Sequence, residues 1–285
     1  YLHVTGDERL IFLQRLLTAN IQGLKSGDST HGLLLDKRGK VQASLDLWIE
    51  ETAVLIGSDT SVIASVAKEL GRYVLRSAVQ INVAPLVSLA FVGPAHELVA
   101  RELELELSTK LAHPARGRGL RTERLPGGFE IALAEPQANE LWHAVSGLGD
   151  ASVRSAGRSV SEVLRVEAGV PCHGAELTGN ELPQEARLES AVDFEKGCYL
   201  GQETVARIYY RGHVNRLLCG LRFESVVAPG AKLFSGGRNA GEITSAVVSD
   251  CHGPIGLGYL HRELTDPGVK VRVDDDSTAL VAPLP

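Results

Sequence analysis

Of the four cysteines in the chain (Cys172, Cys198, Cys219 and Cys251), one sits where a thiol can be made reactive. Cys198 lies in Lys196-Gly197-Cys198-Tyr199-Leu200-Gly201-Gln202-Glu203. Before it runs an apolar stretch with strand character, SAVDFEKG, and after it a stretch with helical pattern, GQETVARIYY. A neighbouring ammonium, here Lys196, and the positive end of a helix dipole both favour a thiolate. Such a place suits a nucleophile, a redox group or an anion site. The alternative is a small, half-buried residue in a turn. Gln202 and Glu203 fall in the first helical turn, where an acid complements the dipole, and Gly197 and Gly201 allow tight backbone geometry.

The other candidate groups carry less. No CxxC pair occurs, which speaks against a zinc site, and four cysteines in 285 residues are too few for a disulfide framework. The expectation is a reduced cytoplasmic protein with free thiols. Cys172-His173 and Cys251-His252 pair sequence neighbours that cannot easily form half of a tetrahedral site, and His113 and His143 stand alone. The glycine-rich pieces at 117–119 and 235–237 follow no phosphate-binding pattern and read as turns. Asp274-Asp275-Asp276 reads as a solvated loop.

A net charge of -6 and a pI near 5.9 argue against a strongly basic nucleic-acid binder, and no direct nucleic-acid partner is expected. No apolar run approaches the roughly 20 residues that span a bilayer, so no membrane partner is expected either. The opening YLHVTGDERL lacks a basic and then apolar leader pattern, so no signal peptide is expected. Methionine is absent from the sequence.

These residues need elements to hold them. Asp7 reads as the cap of a helix with Leu10, Phe12, Leu13, Leu16 and Leu17 on one face. Two strands follow around a turn at Lys37-Arg38-Gly39, then a third, TAVLIGS. A helix capped by Asp59 or Ser61 carries Ile63, Val66, Ala67, Leu70 and Val74. VQINVA is a further strand, and Pro85 marks a boundary. The alternation then restarts: a strand LVSLAFVG, a helix AHELVARELELEL behind Pro94, a hairpin turning at Pro126-Gly127-Gly128, and a helix QANELWHAVSGLG closed by Gly147 or Gly149. After about Val214, short strands separated by Gly, Pro and Asp turns, with no helix, suggest a small β-barrel. The fold class is α+β: two α+β units with antiparallel sheets and a C-terminal barrel. The boundaries fall at 1–84, 85–155, a segment 156–214 carrying the Cys198 signature, and 215–285. Trp48 and Trp142 are expected in the core, as is at least one of Tyr209 and Tyr210.

At KGCYLGQE the chain resembles the YgfZ-type folate-binding proteins, relatives of the glycine-cleavage T-protein (aminomethyltransferase), whose hallmark is K-[GR]-C-[FY]-x-G-Q-E. The block Leu164 to Arg207, the opening GDERLIFLQRLLTANI and the late GEITSAVVSDCHGPIGLGYL are similar to the family in the same order. The resemblance implies three domains around a central channel. It implies tetrahydrofolate binding and a role in making or maintaining iron–sulfur clusters in client proteins, including some that thiolate tRNA. One cysteine cannot be a permanent cluster site, which takes about four protein ligands, so Cys198 would be a nucleophile, redox group or transient ligand.

The resemblance also implies ligand contacts. Glu167, in LRVEAG, matches a glutamate that contacts the pterin of folate; a carboxylate can accept two parallel N–H bonds from such a ring. The alternative is a salt bridge with Arg165. Arg207, Arg211 and Arg216 are candidates for the glutamate tail of folate, because arginine pairs bidentately with carboxylates. Gln202 and Glu203 would anchor the loop, with ligand contact second. Ser44 stands where the aminomethyltransferase carries an aspartate, and serine is poor at guiding proton transfer; Asp46, two residues on, could restore an acid. The rival readings are therefore a one-carbon transferase using Asp46 and a non-catalytic adaptor.

Overall fold

The computed structural model describes residues 1–75, 77–94, 96–102, 118–120, 128–146, 153–274 and 277–284. The chain folds as two compact units: 1–34, 43–155 and 195–200 form one, and 35–42, 156–194 and 201–285 form the other.

In the first unit, β1 (Leu2–Thr5) leads into α1 (Arg9–Leu16), then β2 (Ser29–Leu35), β3 (Val41–Ile49), β4 (Ala53–Gly57), α2 (Thr60–Gly71) and β5 (Gln80–Val83). The strands form one sheet in the order β2-β3-β4-β1-β5. Alternation explains it: Val41, Ala43, Leu45, Leu47 and Ile49 of β3 are all buried, as a strand with one face on a core requires. Phe12, Leu13 and Leu16 of α1 and Val66 and Leu70 of α2 pack on that face. Asp59 caps α2, accepting a hydrogen bond from the Ser61 N–H at 2.8 Å. Asp7 does not cap α1. The helix starts after Glu8, whose carboxylate instead accepts the N–H of Ala78. Gly6, at φ 106°, makes the turn so close to residue 78 that a Cβ would lie 1.9 Å from the Ala78 carbonyl oxygen.

A second, three-stranded antiparallel sheet, β6-β8-β7, joins β6 (Leu86–Val92), β7 (Arg118–Leu120) and β8 (Gly128–Ala134), with α3 (His96–Glu102) and α4 (Glu135–Ser146) beside it. The rest of the helix expected after Pro94, the expected turn residues Pro126 and Gly127, the helix stops Gly147 and Gly149, His113, Gly117, Asp275 and Asp276 lie outside the described residues. Trp48 is core, at 1% exposure. Trp142 is not. The helix α4 buries the small Ala138 and Val145, and Trp142, on the flank of that face, stays 45% exposed.

In the second unit come α5 (Arg158–Glu167), a 3-10 turn (Glu189–Ala191) and α6 (Gln202–Arg211), with a second 3-10 turn (Arg262–Leu264) after the strands begin. Residues 192–197 form no strand, so the strand expected ahead of Cys198 is replaced by the first of these turns and an extended loop. The barrel is closed by six strands in the order β10-β11-β12-β9-β14-β13. They are β9 (Arg216–Phe223), β10 (Lys232–Ser235), β11 (Arg238–Ser249), β12 (Gly253–His261), β13 (Lys270–Val273) and β14 (Thr278–Ala282). Leu221, Leu233, Ile243, Val273 and Val281 belong to its interior cluster. Val166 of α5 packs with Leu218, Leu257 and Tyr259 of β9 and β12. The helix α5 is not among the elements expected from the sequence. Its signal is Val160, Val163 and Leu164, spaced as one helical face.

Candidate functional site

The Cys198 loop belongs to the first unit and is fixed from below by its own lysine. Lys196 is 8% exposed, and its ammonium donates to the carbonyl oxygens of Gln14 (2.8 Å), Leu17 (2.7 Å) and Ala19 (2.5 Å). Three N–H donors meet three acceptors. The last carbonyls of a helix have no partner within it and carry partial negative charge, so the cation completes the end of α1. Its nitrogen also lies 5.4 Å from the centre of the Tyr199 ring, within cation–π range. With Lys196 drawn inward and Tyr199 buried, Gly197 and Cys198 are left exposed between them.

Cys198 opens onto a cavity of about 800 Å³, lined also by Leu10, Gln14 and Arg15 of α1, by Gly23 and by Tyr199. That size is in the small-molecule range. The Gln14 side chain shapes its wall, accepting from the N–H groups of Ile21 (2.6 Å) and Gln22 (3.1 Å). Sequence reasoning missed Gln14 and Arg15. They sit on the polar side of α1, and nothing in their spacing says what that side faces.

The chain passes to the second unit between Leu200 and Gly201. Gly201 caps α6 in the left-handed conformation, φ 80°, and Gly39 in the β2–β3 turn has φ 82°. A Cβ on Gly201 would lie 2.4 Å from the Asp36 carbonyl oxygen, and one on Gly39 would lie 3.1 Å from Val205 and 3.2 Å from the Gly201 oxygen. Two glycines thus let the turn and the start of α6 touch through backbone. Asp36 holds the turn, accepting from the N–H groups of Arg38 (2.8 Å) and Lys40 (2.9 Å). Burial pushes its carboxyl up, but those bonds and the Arg38 guanidinium together bring it below its ordinary value. Gln202 is half-buried and Glu203 exposed at the first turn of α6.

Glu167 is the last residue of α5. A carboxylate there faces the negative end of the helix dipole. Its Oε1 accepts the Ser249 hydroxyl at 2.5 Å, and among the described residues no cation pairs with it. Arg165 does not serve it. Its five N–H donors go to Glu162 (from Nε, 3.0 Å, and from Nη2), Glu176 (2.9 Å), the Val170 carbonyl (2.8 Å) and Ser245 (2.7 Å). Glu176, fully buried, also accepts from Thr244 and Ser245 at 2.7 Å and from the Cys172 N–H at 3.1 Å.

Arg207 and Arg211 are exposed on α6 and make no ion pair among the described residues. Arg216 lies between Glu181 (3.3 Å) and Glu185 (3.4 Å), over the Tyr259 ring at 4.6 Å. Neither tyrosine of α6 is core: Tyr209 and Tyr210 are 54% and 63% exposed. Tyr209 stacks on Phe194 at 3.7 Å, with Tyr210 edge-on at 5.0 Å, because α6 buries only Val205 fully. In the first unit, the Ser44 hydroxyl lies 2.8 Å from His31 Nε2, and Asp46, on the same side of β3, is 4% exposed.

Residues 126–196 match the GCVT N-terminal domain, and residues 216–283 match the glycine cleavage T-protein C-terminal barrel domain. The chain is 25% identical to a putative chloroplastic transferase of Arabidopsis thaliana, over 100% of this chain and 68% of the relative. It is 29% identical to the tRNA-modifying protein YgfZ of Yersinia enterocolitica, over 99% of this chain and 88% of that one. The crystal structure of the glycine cleavage system aminomethyltransferase T from Bartonella henselae superposes with a TM-score of 0.90 at 26% identity, covering 99% of this chain and 82% of that one. Both T-protein domain types occur in order, and the likeness to YgfZ runs along 99% of the chain, so the chain is T-protein-like in fold and similar to YgfZ in sequence.

Proposed function

We propose that this protein binds tetrahydrofolate and supports the assembly or repair of iron–sulfur clusters in client enzymes, tRNA-modifying ones among them, with Cys198 as the working thiol. The observation that carries the folate half is Glu167: a half-buried carboxylate at the unfavourable end of a helix, given one hydroxyl donor and no cation among the described residues. A fold does not keep such a group for stability. It keeps free acceptor sites that fit the 2-amino group and adjacent ring N–H of a pterin. Arg207 and Arg211 have guanidinium groups to spare for the glutamate tail, while Gln202 and Glu203 hold the loop at the start of α6. Lys196 serves Cys198 by holding its loop. A cluster would be cargo met by one thiol, and the name of the Yersinia relative supports the tRNA-related client.

Anaerobic titration calorimetry of tetrahydrofolate into reduced protein tests the folate half. Micromolar binding is expected. Glu167→Gln should weaken it at least about ten-fold, the scale of a charge-assisted bond; absence of binding up to millimolar ligand overturns this half. Cys198→Ala should keep the affinity but fail to restore iron–sulfur enzyme activity in cells lacking the gene. Full restoration would leave an adaptor. A one-carbon transferase is the second reading, favoured by the aminomethyltransferase likeness and by Asp46 on the Ser44 side of β3. Formation of methylenetetrahydrofolate from an aminomethyl donor would move the assignment to it.

A further inference from the structure

We infer that Ser249 is the positioning residue for Glu167, fixing which acceptor sites of the carboxylate are offered to a ligand with two adjacent N–H donors. The inference rests on the reading of Glu167 as the folate-binding carboxylate.

Ser249 ends β11 and is 2% exposed. Its hydroxyl oxygen accepts the backbone N–H groups of Cys251 (3.1 Å) and His252 (2.9 Å), in the turn to β12. A hydroxyl has two lone pairs and one hydrogen. With both lone pairs taken, the hydrogen can go only to Glu167 Oε1, 2.5 Å away. The direction of that bond is therefore set by the backbone of the turn. Glu167 must accept, and Oε1 keeps one site while Oε2 keeps both.

The same strand keeps the neighbouring arginine away. Ser245, four residues before Ser249 on β11, takes one N–H of Arg165. The buried Glu176, Glu162 and the Val170 carbonyl take the other four. A guanidinium presents the same paired N–H pattern as a pterin, but Arg165, two residues from Glu167 and on another side of α5, is held there and does not compete for the sites left on Glu167. Ser245 and Ser249 thus sort the two charges of α5. Arg165 is fully bonded to protein, whereas Glu167 uses one of its four acceptor sites.

The test compares wild type, Ser249→Ala and Ser249→Thr by calorimetry with tetrahydrofolate and with its analogue lacking the 2-amino group. Ser249→Ala should weaken tetrahydrofolate about ten-fold, the size of one hydrogen bond to a charged group, and reduce the preference over the analogue. Ser249→Thr, which keeps the hydroxyl, should stay within about three-fold of wild type. A purely structural role would weaken both ligands alike and leave the preference unchanged. If Ser249→Ala does not fold, Ser249→Cys, of similar shape but a poor donor, carries the same expectation. Wild-type affinity and preference in the alanine variant overturn the positioning role and leave the folate reading standing. A wild-type protein that binds no tetrahydrofolate overturns that reading and this inference together.

Discussion

Replacing Lys196 by methionine removes an ammonium and keeps an apolar stem of similar length. Three carbonyl oxygens, those of Gln14, Leu17 and Ala19, lose donors now at 2.5 to 2.8 Å. A buried acceptor left unmade costs about 1–3 kcal/mol. Each carbonyl has a second lone pair, so the lower end, about 1 kcal/mol apiece, is appropriate. Loss of a cation at the end of α1 adds about 0.3–1 kcal/mol, and relief from burying a charge offsets part of the total. The expected net loss is about 2–4 kcal/mol, read from the urea midpoint at unchanged slope. Because the anchor lies two residues from the thiol, alkylation of Cys198 relative to the exposed Cys251 should also change under conditions where the variant stays folded. A loss below about 1 kcal/mol, the worth of an ordinary surface charge, with the Cys198 to Cys251 ratio unaltered, would refute the anchoring argument.

The two glycines of the signature should behave differently. Gly201→Ala puts a Cβ 2.4 Å from the Asp36 carbonyl at φ 80° and should cost about 2–4 kcal/mol, left-handed strain plus overpacking, whereas Gly197→Ala meets nothing within 4 Å and should fall within about 0.5 kcal/mol; thermal melting separates them. Burial first, and the Glu176 and Glu162 charges after it, push the Cys172 thiol up to about 11 despite the opposing Arg165. The unfolded thiol titrates near 8.5, so its stabilising contribution is whole below about pH 8.5 and declines as pH rises toward about 11. Urea midpoints should therefore fall more steeply across that range in wild type than in Cys172→Ala; equal slopes would refute the assignment.

Periodicity and turn chemistry make most elements legible, because they are set locally. The alternation in β3, the Asp59 cap and the glycine of the 37–39 turn each act within a few residues, and the short, evenly spaced strands after Val214 announce the barrel. What stays hidden depends on partners distant in sequence. Asp7 has the residue type of a cap, but the close approach of Gly6 to residue 78 moves the helix start. Trp142 and the α6 tyrosines have the residue type of a core, yet exposure depends on what their helices pack against. Arg165 is the natural partner of Glu167 by sequence, and only the fold brings Glu176 and Ser245 to claim it. Lys196 carries the same lesson into the signature itself. Sequence adjacency suggests a cation working on the thiol, whereas its ammonium is bonded to carbonyls about 180 positions away. An eight-residue motif can therefore mix two kinds of necessity. Lys196 and Gly201 are constrained by the backbone they must meet, and Cys198, exposed at a cavity mouth with its neighbours turned inward, is left available for chemistry.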